Sequence, residues 1–99
     1  MKLRVSGRAR AKIRREDEWW RRERPSAPDL FKEELAIAFD RILKTPKARK
    51  PYATIEDEPV WRVLMPRTEH HVYYRVDEIA GEVIVEAIWG ARKGRGPRL

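Results

Sequence analysis

The chain has 99 residues and a formal net charge of +7, with 23 Lys and Arg against 16 Asp and Glu. That length suits one small domain built around one core. It holds no cysteine, which excludes a disulfide scaffold, a thiol nucleophile and a thiolate zinc site. No apolar run approaches the roughly 20 residues of a membrane span or forms a leader, so a cytoplasmic protein with no membrane partner is expected.

The basic charge is uneven. Residues 1–24 hold ten Lys and Arg against four Asp and Glu, and residues 92–99 hold four basic side chains and no acid. An anionic partner is expected, either nucleic acid or an acidic protein segment.

In chain order, Leu3 and Val5 alternate with Lys2 and Arg4 and predict a short first strand. Ser6 is placed to cap a helix over 8–24, where Ala9, Ile13 and Trp20 share one face and Pro25 enforces the end. A second helix is expected to open at Ser26, with Ser26 and Asp29 as a capping box and Pro28 in the first turn. Its apolar stripe is Phe31, Leu35, Ala38, Phe39, Ile42 and Leu43, and it stops at Thr45-Pro46. The two helices should form an antiparallel hairpin. Residues 46–59, with prolines at 46, 51 and 59, read as an irregular loop.

The period then changes. Strands are predicted over 60–65, 69–77 and 82–89, joined by short turns into an antiparallel meander. In the last of them Val83, Val85, Ala87 and Trp89 should face the helices together. The expected fold is α+β, in the order β-α-α-β-β-β, with a helical hairpin packed on a mainly antiparallel sheet. One domain over 1–89 is followed by a basic, glycine-rich tail over 90–99.

This order resembles the RelE/ParE superfamily of toxins from type II toxin–antitoxin systems. The resemblance is carried by the turn from Glu18 to Pro28, the segment Phe31-Lys32-Glu33-Glu34-Leu35, and the strand Val60-Trp61-Arg62-Val63-Leu64-Met65 with Pro66-Arg67 behind it. It continues through His71-Val72-Tyr73-Tyr74-Arg75-Val76-Asp77 and Ala87-Ile88-Trp89-Gly90-Ala91-Arg92. It implies a growth-inhibiting toxin neutralised by a cognate antitoxin in a hetero-oligomer. Two targets follow from it: DNA gyrase, inhibited without catalysis, for ParE-like members, and mRNA on the ribosome, cleaved without a metal, for RelE-like members. A plain RNA-binding module ranks below both.

A metal-free ribonuclease needs a base for the 2′-hydroxyl, an acid for the leaving oxygen and cations for the phosphate. Arg62, Arg67, Arg75 and Arg92 are the candidate cations, and His71 and Tyr73 the candidate proton carriers. The adjacent His70 and His71 should point to opposite faces of their strand, which is a poor arrangement for a shared metal. No cofactor or metal is expected. Nuclease relatives carry histidine or tyrosine near the end of the last strand or in the tail, whereas this chain has Gly90 and no His or Tyr beyond Tyr74. That departure favours the gyrase-directed reading. The expected toxin surface is Arg62, Tyr73, Arg75, Arg92, Lys93 and Arg95. The resemblance together with exposure arguments places the antitoxin on Trp19, Trp20, Phe31 and Leu35.

Overall fold

In a computed structural model that describes residues 1–92 and 94–99, two helices lie on one face of a five-stranded sheet. The elements are β1 (Lys2–Val5), α1 (Gly7–Glu23), α2 (Leu30–Lys44), β2 (Ala53–Ile55), β3 (Glu58–Met65), β4 (His70–Asp77) and β5 (Glu82–Gly90). The sheet order is β1-β5-β4-β3-β2. β1 runs parallel to β5, and every other pair is antiparallel. The expected α+β fold is therefore present, with one strand more than the sequence reading gave.

That strand is β2. It pairs with the start of β3 through Ala53↔Val60 and Ile55↔Glu58. The two-residue turn between them, Glu56-Asp57, has φ of 52° and 66°. Tight hairpins need this left-handed geometry because it matches the twist of the strands, but glycine or asparagine usually supplies it. Pro59 is tolerated because its stretch of β3 lies beyond the part paired with β4, which runs from Trp61 to Met65.

Ser6 caps α1, its hydroxyl accepting from the Ala9 N–H at 3.1 Å. The second helix begins later than expected. Pro28 steers Ala27 away from helical angles, so 24–29 forms turns and α2 starts at Leu30. Asp29 is its N-cap residue but makes no side-chain cap bond; its carboxylate pairs with Arg21 at 2.8 Å.

Between helices and sheet lies the main core. Ala9, Phe31, Leu35, Ala38 and Ile42 meet Trp61, Val63, Met65, Val72, Tyr74, Val83, Val85 and Ile88. Phe31 is fully buried and Leu35 is 6% exposed. Neither can serve as antitoxin surface, which corrects that part of the expectation: the stripe faces the sheet, and burial there is what holds α2 in place. The apolar side chains of α2 left at the surface are Ile37 and Leu43.

The last strand departs from simple alternation. Tyr74 opposes Val85 while Tyr73 opposes Ala87, so Glu86 is an extra residue in β5. Beyond it the phase inverts. Val83, Val85 and Ile88 face the helices, whereas Ala87 and Trp89 join Val60 and Tyr73 on the opposite face.

Candidate functional site

The opposite face of the sheet carries a second, small apolar cluster of Val60, Tyr73 and Ala87, with Trp89 and Leu99 packed against it. The chain's last residues reach this cluster by folding back over the sheet. The Trp89 indole N–H donates to the Arg95 carbonyl at 2.8 Å, and the Arg8 guanidinium donates to the Arg98 carbonyl. Gly96 lies against the Tyr52 hydroxyl so closely that a Cβ there would be 2.6 Å from it. A larger residue at this position would have to displace the Tyr52 ring.

The tail and the strands enclose a shallow cleft of about 300 Å³, lined by Tyr52, Arg62, His71, Tyr73, Gly90, Ala91, Gly94, Arg95 and Gly96. The Arg62 guanidinium sits 4.4 Å from the centre of the Tyr52 ring. It also reaches the Tyr73 hydroxyl at 3.5 Å. Tyr52 and His71 both meet Tyr73 edge to face, with ring centres 5.2 and 5.9 Å apart. Burial, and secondarily the charge of Arg62, hold the His71 imidazole below its ordinary pKa. The cleft thus offers a fixed cation, a neutral imidazole and two phenol rings.

Of the residues named from sequence, Arg62, His71, Tyr73 and Arg95 come together here. Tyr73, at 1% exposure, is buried rather than presented to a partner. Arg75 is on the same strand but is neutralised, with Glu86 at 2.8 Å and Glu58 at 2.6 Å. Arg92 extends into solvent against Glu69 at 2.6 Å. Arg67 lies elsewhere, beside a groove formed by Leu30, Ile37, Ala38, Leu64 and Pro66. Lys93 lies outside the described residues. Tyr52, which the sequence reading missed, precedes the unforeseen β2, and nothing in its own neighbourhood signals a site.

The two adjacent histidines do divide between faces. His70 lies on the helix side, edge-on to Phe31, with its Nε2 3.3 Å from Glu16. His71 is in the cleft. Tyr74 belongs to the core, donating to the Pro46 carbonyl at 2.7 Å and accepting from Arg49 at 2.8 Å. Trp19 is 38% exposed and Trp20 half-buried, with Arg24 5.1 Å above the Trp19 ring. Among the described residues no group of three His, Asp or Glu gathers where a metal ion could be held. Among the described residues no helix is long and apolar enough to cross a membrane.

The family model described as the ParE toxin of the type II toxin–antitoxin system parDE matches residues 3–94. The chain belongs to the ParE toxin family. Its fold is similar to that of the isolated RelE toxin of E. coli, whose crystal structure superposes with a TM-score of 0.57 at 16% identity, covering 95% of this chain and 87% of that one. At that identity the likeness establishes the fold alone. No curated protein matches the chain. As a ParE-family toxin, the protein is one half of a toxin–antitoxin pair and has a cognate antitoxin as partner.

Proposed function

We propose that this ParE-family chain arrests growth in the cytoplasm by inhibiting DNA gyrase, without catalysis, until its antitoxin removes it. The observation that carries this reading is the shortage of proton carriers in the cleft. Among the described cleft residues, His71 is the one group whose ordinary pKa lies near neutrality, and the last strand ends in Gly90. The Tyr73 phenol is buried, and the Tyr52 hydroxyl, on a residue 40% exposed, packs against Gly96. General acid–base cleavage of RNA works best with two groups whose ordinary pKa values lie near the working pH, and the described cleft residues include one. A binding inhibitor needs none, and Arg62, Arg95 and the aromatic rings suit contact with a macromolecule. The antitoxin is proposed to cover the remaining apolar surface along α2, where Ile37 stands 62% exposed beside Leu30 and Leu64.

The reading is tested with purified toxin in two reactions. Gyrase supercoiling should be blocked by toxin and restored by antitoxin, while translated mRNA stays intact. Uninhibited supercoiling together with codon-phased cuts in mRNA would overturn it and assign the cleft to RelE-like cleavage through His71 and Arg62.

A further inference from the structure

The cleft uses few of the protein's cations. Helix α1 carries seven of the chain's 23 Lys and Arg, more than any other element. Its acidic residues Glu16 and Asp17 turn toward neighbours: Glu16 to Lys12 at 2.9 Å and His70 at 3.3 Å, Asp17 to Arg21 at 3.1 Å and Lys32 at 3.7 Å. Arg8 and Arg15 stand along one exposed flank of the helix and Arg10 and Arg14 along the other, with Glu18 between them. Arg10, Arg14 and Arg15 make no side-chain ion pair or hydrogen bond among the described residues. Arg8 grips the Arg98 carbonyl and so brings the exposed Arg98 of the tail alongside the helix.

We infer that this ridge of α1 and tail is a binding surface for the phosphodiester backbone of a nucleic-acid duplex. The helix is a rigid mount. Arg8 and Arg15 are about 10 Å apart along its axis, and Arg10 and Arg14 about 6 Å, so several phosphates can be met without ordering a loop. Unpaired guanidiniums cost nothing to free for such contacts, and their forks match phosphate oxygens. The alternative occupant is an acidic protein segment. Protein interfaces are anchored by buried apolar or aromatic side chains, and no large apolar side chain is exposed on α1 before Trp19. The apolar groove that suits a protein partner lies elsewhere, along α2. A polyanion needs only the spaced cations. The ridge stands independently of the gyrase reading, because it concerns α1 and not the cleft.

The test is fluorescence anisotropy of a short labelled DNA duplex of arbitrary sequence, titrated with the full chain at roughly 50 to 200 mM salt. The wild-type chain is compared with the triple variant Arg10→Ala, Arg14→Ala, Arg15→Ala. Each lost phosphate contact removes about 0.9 from the slope of log affinity against log salt, so the triple variant should lose about 2.7. Over that salt range its affinity should therefore fall by about 40-fold less than that of the wild type. Lys44→Ala removes a charge already paired with Asp40 at 2.8 Å and should leave the slope unchanged. Circular dichroism and thermal unfolding establish that the exposed triple variant is folded. Equal slopes for wild-type and triple variant would overturn the inference. So would displacement of the duplex by polyglutamate at equal charge concentration, which would assign the ridge to an acidic protein. Neither gyrase nor ribosome is in the assay, so failure here leaves the proposed function untouched.

Discussion

Glu34 is the position where a single substitution should reveal most about what holds the fold together. Its carboxylate, on a side chain 6% exposed, reaches out of α2 and clasps the turn between β3 and β4. It accepts from the Arg67 N–H at 2.7 Å, from the Thr68 N–H at 2.8 Å and from the Thr68 hydroxyl at 2.7 Å. These bonds stand in for ladder partners that the turn lacks, and the neighbouring Glu69 needs a φ of 59° to complete it. Glu34→Ala leaves two backbone donors and a hydroxyl without an acceptor. Each orphaned buried group costs about 1–3 kcal/mol. Water can reach the Arg67 side of the turn, and the charge itself no longer has to be buried, so the net loss should be about 3 kcal/mol. Unfolding entropy for 99 residues corresponds to about 0.2 kcal/mol per degree, which converts that loss into a Tm lower by about 15 °C. Thermal and urea unfolding followed by circular dichroism measure both quantities. Thr68→Val, which removes only the hydroxyl, should cost about a third as much. A loss below 1 kcal/mol for Glu34→Ala, with an unchanged urea m-value, would refute the account of this clasp as a main tie between α2 and the sheet.

Two other predictions concern pH and the tail. His70 is held below its ordinary pKa of about 6.5 by burial, against the pull of Glu16. Burial works to raise the Glu16 carboxyl, but Lys12 and His70 bring it below its ordinary value. Between that ordinary histidine value and the depressed folded one, the unfolded chain binds a proton that the folded chain refuses, so stability falls as pH drops from 7 to 5. The urea midpoint should therefore be lower at pH 5. His70→Asn should weaken the dependence without abolishing it, because His71 is shifted the same way; identical midpoints at the two pH values would contradict this. Gly96→Val puts a branched side chain into the Tyr52 hydroxyl. It should leave global stability within about 1 kcal/mol while making residues beyond Gly90 markedly more sensitive to limited proteolysis, and unaltered cleavage would show that the tail does not depend on this approach.

Much of this architecture follows from periodicity. The change from a spacing of three and four to a spacing of two near Val60 separates the helices from the meander, and Ser6 and Pro25 bound the first helix. Three features escaped because their causes are not local. The hairpin at Glu56-Asp57 uses two acidic residues at positive φ, where glycine would have announced a turn. The start of α2 depends on Pro28 acting on the residue before it, which outweighs the capping pattern at Ser26. The burial of Tyr73 depends on Leu99 and Gly96 returning to the sheet from the far end of the chain, and no window along the sequence contains both partners. The site suffered most from this. Arg62, His71 and Tyr73 were legible as neighbours across β3 and β4, whereas Tyr52 joined them through a strand that was not foreseen.

The extra residue at Glu86 makes the hydrophobic code of β5 change phase in mid-strand. A relative without the bulge would need one residue fewer between the equivalents of Val85 and Ala87, and aligning the two by pattern alone would pair inward with outward positions from there to the end. The bulge also makes Trp89 a donor to the tail rather than a member of the main core. Deleting Glu86 should rotate Ala87, Ile88 and Trp89 by half a turn about the strand and drive an indole toward the helices. The presence or absence of that single residue would therefore divide related toxins into those with a tail-covered sheet and those with a bare one.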